Sequence, residues 1–181
     1  MLFDDIKKVL VTEDEIISLC KSLGERISKD YAGKSLVVIG LLKGCLPFMA
    51  DLTKYITVPV NVEYMDVSSY EGTESSGCIT IKKDISIDIS GKDVLIIDDI
   101  IDTGNTLKAI LEIFERRNVR SVEACVLLDK PEGRKVPVEI KYIGREIPKE
   151  FVVGYGLDFN EYYRNLPFIG ILKEEVYRTQ K

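Results

Sequence analysis

"VLIIDDIIDTGNT", residues 94–106, begins as an apolar run, turns acidic, and ends in hydroxyl side chains around one glycine. A short continuous apolar run is what a parallel strand covered on both faces requires. Gly104 can take backbone angles closed to other residues, which suits a tight turn. Residues 106–117 then repeat their apolar side chains at helical spacing. Strand, acidic end, turn and helix together make the basic unit of an α/β fold. Open α/β sheets bind ligands beyond the carboxyl ends of their strands. Asp98 and Asp99 are therefore expected at such an end, with the strand itself over 94–97.

Outward from there, the same alternation continues. Residues 12–31 read as an amphipathic helix, with Thr12 and Glu15 as a capping box and Gly33 near its far end. Residues 35–42 form a second continuous apolar run and predict a buried strand. A helix over 45–55 and strands over 58–65, 78–83, 122–128 and 138–143 complete the pattern. Between two of these strands lies "SSYEGTESSG", 68–77, polar and turn-rich, predicted as a loop. From Phe151 onward the chain is aromatic and irregular, interrupted by Pro167, and is expected to cap one edge of the sheet. The expected fold is α/β, with a mostly parallel central sheet flanked by helices. No repeat or linker divides the 181 residues, which predicts a single domain over 1–181.

Composition narrows the chemistry. The chain is 45% hydrophobic and 30% charged, as in ordinary globular proteins. Its net charge of −5 argues against a nucleic-acid partner. There is no histidine, so Ser-His-Asp, Cys-His and His-ligated zinc chemistry are excluded together. The cysteines, Cys20, Cys45, Cys78 and Cys125, are widely spaced and form no CxxC, which predicts buried free thiols in a reducing compartment. "MLFDDIKK" is too acidic for a signal peptide. No run approaches the ~18 apolar residues of a membrane span. A cytoplasmic protein without a membrane partner is expected.

Asp102-Thr103-Gly104-Asn105-Thr106 can aim successive amides at one anion, helped by the start of the following helix. Thr103 and Thr106 add hydroxyl donors. The loop lacks GxxxxGK[ST] and any lysine, so it suits a terminal phosphate monoester better than the phosphates of ATP. Asp98 and Asp99 need a different partner. Carboxylates accept well from the hydroxyls of a ribose, and Mg²⁺ is the other natural companion. A ligand with a 5′-phosphate, a diol and a metal-bound polyphosphate satisfies all of these groups. The plainer alternative, solvated or helix-capping acids at a strand end, accounts less well for an apolar run followed directly by DDxxDTGxT.

That motif resembles the phosphoribosyl-diphosphate (PRPP) signature of the type I phosphoribosyltransferases. Leu42-Lys43-Gly44 resembles the family's pyrophosphate loop, and 68–77 its mobile flap. "LLDKPEGR" and "FVVGYGLDFNEYYRNLPFIG" resemble the purine-binding parts of the hypoxanthine-guanine members. The likeness covers nearly the whole chain. It implies transfer of a phosphoribosyl group from PRPP to N9 of a 6-oxopurine, with release of pyrophosphate, and a small hood drawn from the terminal segments, 145–181 among them. For PRPP or the nucleotide phosphate it implies Lys43, Gly44, Asp98, Asp99, Asp102, Thr103, Gly104, Asn105, Thr106 and Arg164, with Ser69 and Tyr70 on the flap. For the purine it implies Lys130, Phe151, Val152 and Asp158; for Mg²⁺, Asp98, Asp99 and Asp158.

It also implies a non-proline cis peptide in the pyrophosphate loop, and a homodimer or homotetramer. Asp102 is the candidate general base for a purine ring proton. An electrostatic role favouring positive charge on the purine competes with that one. Asn105 departs from family members that carry lysine there. Lys130 donates and never accepts, so it favours a 6-oxo over a 6-amino group. A nucleotide-binding regulator on the same fold is the alternative function. A phospho-acceptor receiver fits poorly, because its acidic pair lies near the N-terminus rather than past residue 90.

Overall fold

A computed structural model describes residues 2–69 and 79–178. In chain order the elements are β1 (Ile6–Val11), α1 (Glu13–Asp30), β2 (Leu36–Leu42), α2 (Leu46–Leu52), β3 (Val60–Ser69), β4 (Ile79–Lys83), β5 (Asp93–Ile101), α3 (Asn105–Glu115), β6 (Ser121–Asp129), β7 (Tyr142–Glu146), β8 (Val152–Val153), β9 (Ile169–Leu172) and α4 (Glu174–Arg178). The central sheet runs β4-β3-β2-β5-β6-β7. Every neighbouring pair is parallel except β3 and β4.

The apolar runs are continuous because helices cover both faces of the sheet. Side chains alternate along a strand, and β2 and β5 divide accordingly. Val37, Ile39, Val94 and Ile96 pack with Leu107, Ile110 and Phe114 of α3. Leu36, Val38, Leu95 and Ile97 pack with Ile16, Cys20, Leu23 and Ile27 of α1 and Phe48, Met49 and Leu52 of α2. Each such side chain contributes roughly 1.5–3 kcal/mol by leaving water. The capping box forms as expected: the Glu15 amide donates to Thr12 Oγ1 at 3.3 Å, and the Thr12 amide to Glu15 Oε2 at 2.8 Å. Cys20, Cys45 and Cys125 are buried free thiols; Cys78 lies outside the described residues.

Three expectations change. First, β5 does not stop at 97. Its pairing with β2 ends at Ile97↔Gly40, but its pairing with β6 continues to Ile101↔Asp129. Asp98 and Asp99 thus lie inside a strand that has parted from β2, which runs on to Leu42 beside β3, and that stays paired with β6. Second, the strand expected over 138–143 begins only at Tyr142. Pro137 has no amide to give a ladder, and the amides of Lys135 and Val136 are spent on the Thr103 carbonyl at 2.9 and 3.3 Å.

Third, the tail is not irregular throughout. β8 and β9 join the unforeseen β1 in an antiparallel sheet ordered β1-β9-β8, with Ile6↔Leu172 and Val152↔Ile171 in register. Val153, Tyr163, Leu166 and Leu172 form its own small core. Of the loop expected over 68–77, residues 68 and 69 end β3; Tyr70 and the rest lie outside the described residues. No helix among the described residues is long and apolar enough to cross a membrane.

Candidate active site

Asp98 and Asp99 occupy the part of β5 that pairs with β6 and no longer with β2. Asp98 Oδ1 accepts from the Asp99 amide at 3.1 Å, and Asp99 Oδ1 from the Ile100 amide at 2.8 Å. Burial, then the neighbouring Asp99 charge, pushes the Asp98 carboxyl well above the usual carboxylate range. Burial also raises Asp99, against hydrogen bonds that favour its charge and the nearby Arg164 cation. Two partly buried acids whose charges are disfavoured are poised for a cation or for hydroxyl donors. Among the described residues no three acid or thiol side chains gather closely enough to hold a metal ion by themselves. That donor set does not suit calcium or zinc. It suits Mg²⁺, which takes one or two carboxylates and fills its shell with water and substrate phosphate oxygens.

Beyond the acids the chain turns into α3. Gly104 sits at φ 85° as the N-cap, a left-handed conformation that glycine adopts without penalty. The first-turn amides of α3 have no carbonyl one turn back to bond. Asp98, Ile100, Ile101, Asp102, Thr103, Gly104, Thr106 and Leu107 line a cavity of about 180 Å³. That volume takes a phosphate and part of a sugar, and falls short of the 300 Å³ or more usual for a whole drug-sized ligand. Asn105 begins the helix, its amide 3.4 Å from Thr103 Oγ1.

Asp102 is exposed at the mouth of this cavity. Lys130, only 8% exposed, follows β6 and brings its Nζ to 3.8 Å from Asp102 Oδ2. Burial lowers the Lys130 pKa, while Asp102 resists that shift. A general-base candidate and a buried ammonium therefore lie side by side.

A residue to which the sequence assigned no role secures them. Arg134 pairs with Asp129 at the end of β6 and donates from Nε to the Asp102 carbonyl at 3.2 Å. Its stem also lies against Gly104, where a Cβ would come within 2.9 Å of Arg134 Cδ. The turn after β6 thus braces the turn after β5. Gly133 belongs to the same brace, since a Cβ there would run into the Asp102 carboxylate.

The Lys43 loop closes another side. The Leu42–Lys43 peptide is cis, as the resemblance implies. A Cβ on Gly44 would strike the Asp99 carboxylate, so only glycine lets the loop lie against the acids. Gly156 does the same opposite, where a Cβ would meet the Gly44 carbonyl. Arg164 donates to the Gly156 carbonyl at 2.7 Å and pairs with Asp158 Oδ1 at 2.9 Å. Its Nε is buried and has no partner, which leaves a donor for an incoming anion. Asp158 Oδ2 accepts from the Glu161 amide at 2.9 Å, so both its oxygens are engaged. Glu161 itself bonds to Lys43 Nζ at 2.9 Å, a contact spanning 118 positions of sequence.

Phe151 is 37% exposed. Its ring stacks on Tyr177 of α4 at 4.9 Å between centroids and meets Phe159 edge-on at 5.6 Å. Val152 is buried in β8 opposite Ile171. Ser69 ends β3 opposite Ile79. Tyr177 lies outside every motif, while Arg134 and Glu161 lie within the quoted stretches 127–134 and 151–170 but carried no assigned role.

Comparison with known proteins fits this geometry. A family model described as a phosphoribosyl transferase domain matches residues 9–160. The hypoxanthine-guanine phosphoribosyltransferase of Streptococcus pneumoniae is 56% identical over 178 residues, covering 98% of this chain and 99% of the relative. The Staphylococcus aureus enzyme of the same name is 55% identical over 177 residues, covering 97% and 99%. Among solved structures, a Staphylococcus aureus hypoxanthine phosphoribosyltransferase superposes with a TM-score of 0.94 at 55% identity, covering 97% of this chain and 96% of that one.

Proposed function

The chain belongs to the phosphoribosyl transferase domain family, and from that premise we propose that the cleft between β5, the Lys43 loop and the small sheet is its active site. The protein is a purine-salvage enzyme. It transfers the 5-phosphoribosyl group of PRPP to N9 of hypoxanthine or guanine, giving IMP or GMP and pyrophosphate. The observation that carries the assignment of residues is the meeting of Asp102 and buried Lys130, 3.8 Å apart, beside the first turn of α3.

The roles follow from the chemistry. The amides of Thr103–Thr106 and the two hydroxyls hold the 5′-phosphate, with Asn105 giving its backbone and no cation. Asp98 and Asp99 accept from the ribose hydroxyls and would hold Mg²⁺; Asp158, engaged by Arg164 and the Glu161 amide, would join them only by giving up one of those contacts. That ion, when bound, neutralises the leaving diphosphate. Lys43, Gly44 and Arg164 bind the diphosphate; Ser69 ends β3, and Tyr70, the other residue the resemblance implies for this group, lies outside the described residues. As the bond from C1′ to diphosphate oxygen breaks, positive charge grows on the ribose and the purine N9–C1′ bond forms. The proton lost from the purine ring goes to Asp102. Lys130 donates to the 6-oxo group, Phe151 packs on the base, and the Val152 backbone reads its edge. Residues 145–181, with β1, form a hood over the base on a single catalytic domain spanning 1–181. Buried free thiols suit a reducing cytoplasm, and a homodimer or homotetramer is the proposed assembly.

The test is pyrophosphate release from PRPP and Mg²⁺ with hypoxanthine, guanine, xanthine or adenine in turn. Turnover with 6-oxopurines and none with adenine is expected; no release with any of them would favour the regulator. Lys130→Ala should lower turnover with hypoxanthine and narrow the gap to adenine by ten- to a hundredfold, about 1–3 kcal/mol for a lost buried contact. Undiminished discrimination would assign base choice elsewhere.

A further inference from the structure

We propose that Glu161 is an internal anion that holds the cations Lys43 and Arg164 until diphosphate displaces it, and so sets the affinity for the phosphoribosyl donor. The inference rests on the reading of this cleft as a diphosphate site. Glu161 Oε2 lies 2.9 Å from Lys43 Nζ and 3.4 Å from Arg164 NH2, bridging the two cations assigned to diphosphate. Arg164 does not need it for charge balance, because Asp158 already pairs with the same guanidinium at 2.9 Å. Glu161 is therefore a second carboxylate on a cation pair that one acid already half neutralises.

Its presentation is built in. Asn160, Glu161 and Tyr163 have φ of 52°, 66° and 73°, a region side-chain-bearing residues seldom visit. The Glu161 amide is tied to Asp158 Oδ2, and Tyr163 is anchored through its hydroxyl to Asp5 at 2.8 Å. An unusual backbone path thus fixes the carboxylate over Lys43. Both side chains of the pair are open to water, 58% exposed for Lys43 and 64% for Glu161. A pair so solvated is weak, and a multiply charged diphosphate can displace it. Arg164 Nε, buried and unpartnered, remains as a donor that Glu161 does not reach. The internal anion thus covers exposed Lys43 and one nitrogen of the half-buried Arg164 guanidinium, and leaves the buried donor for the substrate.

Removing the competitor should tighten binding. Exposed ion pairs contribute little, so the gain is about two- to fivefold at low salt. It should shrink as salt screens the pair. Titration calorimetry with inorganic pyrophosphate and Mg²⁺ on the intact protein reads this directly, comparing wild type, Glu161→Gln and Glu161→Asp, alongside steady-state KM for PRPP and kcat. Tighter pyrophosphate and lower KM in Glu161→Gln, with kcat not raised, are expected. A merely structural role would instead raise KM and lower kcat. Should Glu161→Gln lose its thermal unfolding transition, Glu161→Asp reads the same quantity, since it keeps the charge and withdraws it by one methylene. Pyrophosphate affinity unchanged or weaker in the folded variant overturns the proposal. A wild-type protein that neither binds pyrophosphate nor turns over PRPP overturns the underlying assignment instead.

Discussion

Asp98 shows how a functional residue can cost stability. Its carboxyl is raised by burial and by Asp99, so the folded protein holds that proton more tightly than the unfolded chain does. Stability from this group is complete below the unfolded value of 3.8. It is lost as pH rises through the folded value. Above the unfolded value this group therefore works against folding, and a bound cation would offset it. Asp98→Asn should raise the Tm of the ligand-free protein at pH 7–8 by about 2–4 °C, the shift that about 1 kcal/mol produces in a chain of this size. The difference should vanish near pH 4, and PRPP turnover should fall. A lower Tm at neutral pH, measured by scanning calorimetry, would contradict the account of the pair.

At Asp102 the carboxylate is exposed and set by its neighbours. Asp102→Asn should lower kcat by a hundredfold or more, as losing a general base does, while PRPP binding persists. Unchanged turnover would remove Asp102 as the base. The acids, the hydroxyl turn and Lys43 were legible because each sits in a contiguous motif. Arg134 and Glu161 also lie in quoted stretches, but their roles were not legible. Nothing local to either names its partner, and the Lys43–Glu161 contact exists only after the chain has closed.

At the scale of elements, the turn into α3 joins sequence to function most directly. Gly104 permits the left-handed cap and leaves room for the stem of Arg134. Gly104→Ala should cost roughly 1–3 kcal/mol for the strained backbone and raise KM for PRPP more than it lowers kcat. A variant with wild-type Tm and KM would show that the turn tolerates a side chain. The apolar runs announced β2, β5 and β6, because strands covered on both faces carry a continuous signal. The extent of β5 was hidden, since Asp98 and Asp99 interrupt the apolar pattern while their backbone continues to pair with β6. β1 was hidden for another reason. "IKKVLV" is broken by two adjacent lysines, and its strand partner lies at the far end of the chain, Ile6 against Leu172.

Across the whole molecule, two sheets divide the work. The parallel sheet carries the acids and the turn for the sugar and its phosphate. The antiparallel one, built from both ends of the chain, carries Val152 and is flanked by Phe151, while Asp158 and Arg164 lie between β8 and β9. The glycines at 44 and 156 let the two regions touch. The central claim is that one nucleotide spans both, its phosphate on α3 and its base at Lys130. The most direct test is a crystal structure of the protein with IMP and Mg²⁺. The expected density has the 5′-phosphate on the amides of residues 103–106, the ribose hydroxyls on Asp98 and Asp99, and the 6-oxo group within 3.2 Å of Lys130 Nζ, an ordinary hydrogen-bond distance. Density for the nucleotide elsewhere, with that cleft holding only solvent, would contradict it.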